Sequence, residues 1–407
     1  MFEENSPADR PEISGDSALN AEYMRAAAGA PYGGATMGEV LYVAREVAAG
    51  SGSRDSYIAA WTDLGRRVAD SADDALRSGR RATALSAYLR AYNYLRAAEY
   101  FFPAQLLEER RERYADSVAQ FDAALPLMPF PAEKIEVPYR DGVFIPGYFF
   151  RAAGVEKPRA TVVVCGGQDG AGEEMYFLAG VPEASARGLN VLTFHGPGQR
   201  GLQLYHPDLG FRPESEEPIA AVIDYASTRP EVDGDRIGLY GMSFGGYLAP
   251  RAAAYDRRIN ALACNAPILD LLQIIMGTTA ENTPDGAEGE LRAAPWSTRA
   301  YVENYLMWHH GVSGPVEFAD HAARFTLDGM VGDIACPVLS LAAAGETKVA
   351  MDQARRFHDM VKSTKRFAEL TARQGADGHC GVGNVPHTSG LVYDWFAETL
   401  GTRVLSR

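Results

Sequence analysis

The stretch Arg236–Pro250, RIGLYGMSFGGYLAP, constrains the chain more than any other. Ile237, Leu239 and Tyr240 read as a short buried strand, Gly241-Met242-Ser243-Phe244-Gly245 fits G-x-S-x-G, and from Tyr247 the pattern is helical. A serine on so tight a strand-to-helix turn projects its hydroxyl clear of the backbone, and the flanking glycines leave room for the turn. The hydroxyl then sits at a helix N-terminus, where backbone N–H groups favour developing negative charge. A bare G-x-S-x-G also arises in glycine-rich loops. With an apolar strand before it and a helix after it, the pattern reads as a nucleophile elbow with Ser243 as the nucleophile.

From Pro129 onward the sequence supplies a sheet to carry such an elbow. Lys134 to Val137 and Val143 to Phe150 alternate around Arg140-Asp141-Gly142, which predicts an antiparallel hairpin. Ala160 to Gly167 and Leu189 to Phe194 are continuous apolar runs, as expected of parallel strands buried on both faces. Helical patterns over Glu173 to Arg187 and Ile219 to Thr228 separate these runs from the elbow strand, Ile259 to Cys264 and Cys336 to Ala343 add further strands, and Leu391 to Leu400 reads as a closing helix. Alternating strands and helices imply an α/β fold: a mostly parallel sheet wrapped by helices, with ligands at the carboxyl ends of the strands.

The N-terminal part is different in kind. Residues 1–20 read as a flexible tail, and residues 21–128 as an all-helical domain without a plausible strand; residues 129–407 then form the sheet domain, with a helical insert over about 276–330. The helix Ala84 to Phe102 is crowded with Tyr88, Arg90, Tyr92, Tyr94, Arg96 and Tyr100, residues that cannot share one face. Helix-to-helix packing with arginine stems over aromatics is the expected use, ahead of a substrate role.

Charge and cysteine usage remove whole classes of function. The formal charge of −14 repels polyanions and argues against a nucleic-acid partner. Cys165, Cys264, Cys336 and Cys380 are scattered, with no CxxC pair, and read as reduced core thiols of a cytoplasmic protein. The acidic start MFEENSPADRPEISGDSALN and the lack of a run of about 18 apolar residues indicate neither export nor a membrane partner.

Ser243 needs a base, and the expected chain order is nucleophile, acid, histidine. His379, late in the chain in GADGHCGVGN, fits that order. One oxyanion N–H is expected from Phe244 and the other from the Gly166-Gly167-Gln168 loop, where paired glycines also fit a simple tight turn.

GGATMGEVLYVAREVAAG, YLRAYNYLRAAEYFF, GGQDGAGEEMY, LTFHGPGQRG, GMSFGGYLAPRAAA and ACPVLSLAAAGE together resemble one family. It is the α/β-hydrolases with an N-terminal helical domain, which include 2,6-dihydroxypseudooxynicotine hydrolase and the fungal polyketide-shortening hydrolases of pigment biosynthesis. The resemblance implies the α/β-hydrolase fold and C–C or ester hydrolysis of an aromatic or polyketide-like small molecule in secondary metabolism. It further implies Ser243 and His379 as the catalytic pair, neither metal nor organic cofactor, a pocket bounded by sheet domain and helices, and for some members a homodimer.

Two departures from that pattern matter. Similar hydrolases carry G-E-x-D after the strand ending near Ala343, whereas here Gly345-Glu346-Thr347-Lys348 sets a lysine at the expected acid position. Glu346 and Asp352 are the nearest substitutes, with Asp377 and Asp270 behind them. A triad without its acid favours a cyclase or lyase on the same fold, and loss of catalysis altogether leaves a binding protein. The second departure is His195-Gly196-Pro197-Gly198-Gln199-Arg200, where relatives more often show D-G-P-G-Q-G; His195 and Arg200 either contact an anionic substrate or decorate a loop. Glu173 and Glu174 follow the oxyanion glycines, at a helix start that favours carboxylates on electrostatic grounds alone.

Overall fold

The computed structural model describes residues 13–153, 157–277 and 284–402. They divide into two compact units. The helical unit takes in the described residues up to Pro129 together with Gly289–Trp308, and the sheet unit those of Phe130–Glu288 and His309–Arg407. The segment expected as one insert is therefore shared, Gly289–Trp308 packing with the helices and His309 onward with the sheet.

The helical unit is built on α1 (Ser17–Ala28), α2 (Met37–Ala49), α3 (Arg54–Arg77), α4 (Arg81–Tyr100) and α5 (Leu107–Ala124). Helix α1 begins inside the stretch expected to be a tail, because the Asp16 carboxylate accepts the backbone N–H groups of Ala18 and Leu19. Residues 1–12 of that tail lie outside the described residues. Helix α4 is buried on nearly every side, including Tyr88, Tyr92, Tyr94 and Tyr100. Arg96 is buried against Glu22, and Arg90 pairs with Glu39, so the Tyr/Arg stretch is packing, as its residue types predict.

Among the described residues the sheet unit carries eight strands in the order β1-β2-β4-β3-β5-β6-β7-β8. They are β1 (Ala132–Arg140), β2 (Val143–Phe150), β3 (Arg159–Cys165), β4 (Asn190–Phe194), β5 (Val232–Met242), β6 (Ile259–Asn265), β7 (Val338–Ala343) and β8 (Lys365–Leu370). The β1–β2 hairpin is antiparallel, β2 meets β4 antiparallel, and all other pairs are parallel. Helices Glu216–Ser227, Gly245–Tyr255 and Val385–Thr399 pack against the strands. Because β5 lies between β3 and β6, the elbow at its carboxyl end opens between the loops that follow those two strands. The sequence reading missed β8 and the helix Lys348–Met360 before it. Among the described residues no helix is long and apolar enough to cross a membrane, and all four cysteines are buried and free.

Candidate active site

Ser243 follows β5 directly and holds φ at 56°, a left-handed conformation that a residue with a side chain rarely adopts. Two backbone bonds fix it there: its N–H donates to the Asn265 carbonyl at 2.9 Å, and its own carbonyl accepts the Gly246 N–H at 2.7 Å. A side chain at Gly241 would collide with the Gly245 carbonyl, which accounts for the first glycine of the motif.

His379 reaches the serine from the loop after β8. Its Nε2 lies 2.9 Å from Ser243 Oγ, and its Nδ1 lies 2.6 Å from Glu346 Oε1. A carboxylate can only accept, so the Nδ1 proton faces Glu346 and leaves Nε2 to accept from the serine hydroxyl. Glu346 stands in the turn after β7 with its side chain only 14% exposed, and that turn is tied to the histidine loop by the Gly345 N–H donating to the Asp377 carbonyl at 3.0 Å. Beyond His379 the backbone turns left-handed at Cys380 (φ 54°) and Gly381 (φ 74°). Asn265 holds that bend, its side-chain amide donating to the Cys380 carbonyl at 2.9 Å. One buried residue thus binds the main chain beside both the serine and the histidine; nothing local in the sequence marks it. The Cys380 sulfur, 3.6 Å from Nε2, and the Glu346 carboxylate raise the His379 pKa well above its ordinary 6.5.

Of the carboxylates expected as the third member, Glu346 meets the histidine. Asp352 instead pairs with Lys348 on the exposed face of the helix Lys348–Met360, one turn away at i,i+4, which removes it as a partner for His379. Asp270 caps the helix Leu271–Met276 through the Gln273 N–H. Lys348, 84% exposed, occupies no acid position at all: the chain turns into helix at Thr347, so the side chain that faces the histidine is the one two residues earlier.

Gly167 lies directly against Ser243. A Cβ there would sit 2.8 Å from Ser243 Cβ and 3.1 Å from its Oγ, so only glycine permits this approach. Among the described residues, neither the Gly167 nor the Phe244 N–H is used by a hydrogen bond within the chain. Phe244 is anchored by its ring, which packs on Phe211, Phe325 and His310 at centroid distances of 5.0, 5.5 and 5.7 Å. Gln168 is buried beside Gly167.

With this arrangement in view, the comparisons are specific. The description "Esterase FrsA-like" matches residues 54–283. The chain belongs to the FrsA-like α/β-hydrolases. The prolyl oligopeptidase family also matches, over residues 185–403. Hydrolase LUC6 of Fusarium sp is 30% identical, across 95% of this chain and 97% of that protein. The 20-hydroxy-prefusarin hydrolase FUS2 of Gibberella moniliformis is 29% identical, across 92% of this chain and 91% of its own. The solved 2,6-dihydroxy-pseudo-oxynicotine hydrolase shares the fold, with a TM-score of 0.69 at 20% identity over 93% of this chain and 97% of that one.

His195 does not decorate the loop surface. It is fully buried, its Nδ1 accepts the Gly201 N–H at 3.1 Å, and its Nε2 lies 3.1 Å from Glu173. Burial alone would raise the Glu173 pKa, but His195, the residue's own N–H and the Tyr148 hydroxyl bring it down to about 2. Arg200 is buried too and donates to the Asp169 carbonyl at 3.4 Å. Among the described residues no group of His, Cys, Asp and Glu is arranged to hold a metal ion.

Proposed function

We propose that the protein is a serine hydrolase acting through an acyl-enzyme, with Ser243 as nucleophile, His379 as base and Glu346 as the acid that orients it. The observation that carries this reading is the continuous chain Ser243 Oγ to His379 Nε2 at 2.9 Å and His379 Nδ1 to Glu346 Oε1 at 2.6 Å. Ser243 Oγ attacks a carbonyl carbon as its proton passes to Nε2, while the Phe244 and Gly167 N–H groups receive the negative charge on the carbonyl oxygen. Collapse of the tetrahedral species breaks the bond to the leaving group, which takes the proton from Nε2. Water activated by the same nitrogen then releases the acid and regenerates the serine. The leaving group is the oxygen of an ester or the carbon of a β-dicarbonyl unit in an aromatic or polyketide-like substrate. Similarity to FUS2, whose name gives 20-hydroxy-prefusarin as its substrate, supports a substrate of that size and kind. The cyclase or lyase alternative drew its support from a missing acid, and Glu346 removes that support.

A fluorophosphonate probe tests the proposal. Rapid labelling of the wild type and none of Ser243→Ala is expected, with p-nitrophenyl ester turnover falling about 10⁵-fold or more in the variant. Failure of well-folded wild type to label, or ester turnover that survives in Ser243→Ala, overturns it.

A further inference from the structure

The segment His195–Gln199 is buried beside the oxyanion loop but belongs to none of the catalytic roles above. Its backbone forms a turn of a specific kind. The Gln199 N–H donates to the Gly196 carbonyl at 2.9 Å, Pro197 holds the second position, and Gly198 holds the third at φ 81°, which together describe a type II turn. The Gly198 carbonyl is taken by His309 Nδ1, and the His195 ring is fixed by Gly201 and Glu173, so both flanks of the turn are immobilised.

The turn delivers one side chain, Gln199, which is 2% exposed. Its Oε1 accepts the Gly196 N–H at 2.7 Å, closing the turn on itself. Its Nε2 donates to the carbonyls of Gly166 at 3.0 Å and of Gly167 at 3.1 Å. Both amide hydrogens are used, each on one of two successive peptide groups, and the acceptor at the other end fixes which way round the amide lies. No peptide in the described chain is cis, so each captured carbonyl directs the N–H of its own peptide to the opposite edge. The N–H groups so directed are those of Gly167 and Gln168, while the α-carbon of Gly167 rests against Ser243.

We infer that Gln199 is a positioning residue that presets the oxyanion loop: by holding the Gly166 and Gly167 carbonyls it keeps the Gly167 N–H turned toward the reacting oxygen before substrate arrives. Two adjacent glycines have little conformational preference of their own, and within the loop the Gly170 N–H secures only the Gly167 carbonyl, at 3.3 Å, so the Gly166 peptide that carries the Gly167 N–H needs an external clamp to be preorganised. The inference rests on the serine-hydrolase reading, and it explains why a chain that departs from D-G-P-G-Q-G at the first and last positions keeps the turn and the glutamine.

The test compares Gln199→Glu and Gln199→Met with the wild type on p-nitrophenyl butyrate, alongside the affinity of an alkyl trifluoromethyl ketone, whose adduct carries the oxyanion. Glutamate keeps the size and the Gly196 acceptor but turns both donors into an acceptor facing two carbonyls; methionine removes the bonds without adding charge. Each variant is expected to lose about 10²-fold in kcat, with the ketone weakened by a similar factor. KM and the acidic limb of the pH profile, which report substrate contact and the His379–Glu346 pair, stay where they were. Variants that keep kcat and ketone affinity within a factor of two overturn the inference, as does a loss confined to KM. Failure of both variants to fold assigns Gln199 to the framework and overturns it too. Ser243→Ala separates the two levels: if it alone abolishes turnover, only the clamp has failed, and if turnover survives it, the hydrolase reading has failed first.

Discussion

The buried pairs of the helical unit and the His379–Glu346 pair of the sheet unit are held in opposite ways. In the helices Arg96–Glu22 and Arg110–Glu99 are fully buried, at 2.9 and 2.5 Å, on relaxed helical backbone. Only Ser51, in the turn between α2 and α3, has a positive φ there among described non-glycine residues. At the strand ends the His379 side chain is 55% exposed, whereas three non-glycine residues, Ser243, Ala266 and Cys380, sit at positive φ. Such conformations cost on the order of 1–3 kcal/mol each. The helical pairs fix charge by burying it. The His379–Glu346 pair leaves the imidazole exposed and has its geometry fixed through the backbone, as the proposed proton relay requires.

Removing the carboxylate from the exposed pair is the sharpest way to break that contrast. Glu346→Gln is expected to reduce kcat by about 10³- to 10⁴-fold with stability nearly unchanged, because an amide no longer dictates the Nδ1–H tautomer. The same substitution moves the pH profile in a defined direction. As the proposed base His379 acts only when neutral, and Cys380 and Glu346 raise its pKa well above 6.5, so wild-type kcat/KM is expected to fall as pH drops through that raised value. Losing the Glu346 charge shifts the acidic limb to lower pH. A limb that stays in place in the variant shows that this carboxylate is not what tunes the histidine.

The buried pair predicts the reverse outcome. Glu99→Ala leaves the Arg110 guanidinium enclosed, with its ring neighbours Trp308 and Tyr305 4.8 and 5.7 Å away but no carboxylate, and a loss of about 3–5 kcal/mol in denaturant unfolding of the helical unit is expected. Glu99→Leu combined with Arg110→Met, which removes both charges, should recover most of that loss. If the double variant is no more stable than Glu99→Ala, the pair contributes through packing rather than charge.

The same contrast explains what was legible in the sequence. The elbow, the hairpin and the inner strands announce themselves locally, through G-x-S-x-G, an alternating pattern around a turn and continuous apolar runs. Edge strand β8, KRFAEL, carries three charged residues in six and gives no such run. The start of α1 had a readable cap in Asp16, but the polar residues before it read as tail. The carboxylate that meets His379 was out of reach for a different reason. Glu346 and Asp352 are both acidic residues shortly after β7, and only the point where helix begins decides which one turns toward the histidine. Asn265 and Gln199 act through backbone groups far away in sequence, which no short pattern encodes.

That helix start also yields the smallest expected effect. Lysine at 348 looked like a lesion in the triad because similar hydrolases have an aspartate there. Lys348 is instead the first residue of an amphipathic helix, exposed and paired with Asp352, while the Nδ1 position is already filled by Glu346. An exposed i,i+4 pair contributes a few tenths of a kcal/mol. Lys348→Asp should therefore leave ester turnover within about a factor of two and lower stability slightly, by losing the pair and setting two carboxylates at i,i+4. Asp352→Asn should be quieter still. A rise in turnover for Lys348→Asp, measured as kcat/KM on a p-nitrophenyl ester, means that an acid at 348 can displace Glu346, and the assignment of the triad would move with it.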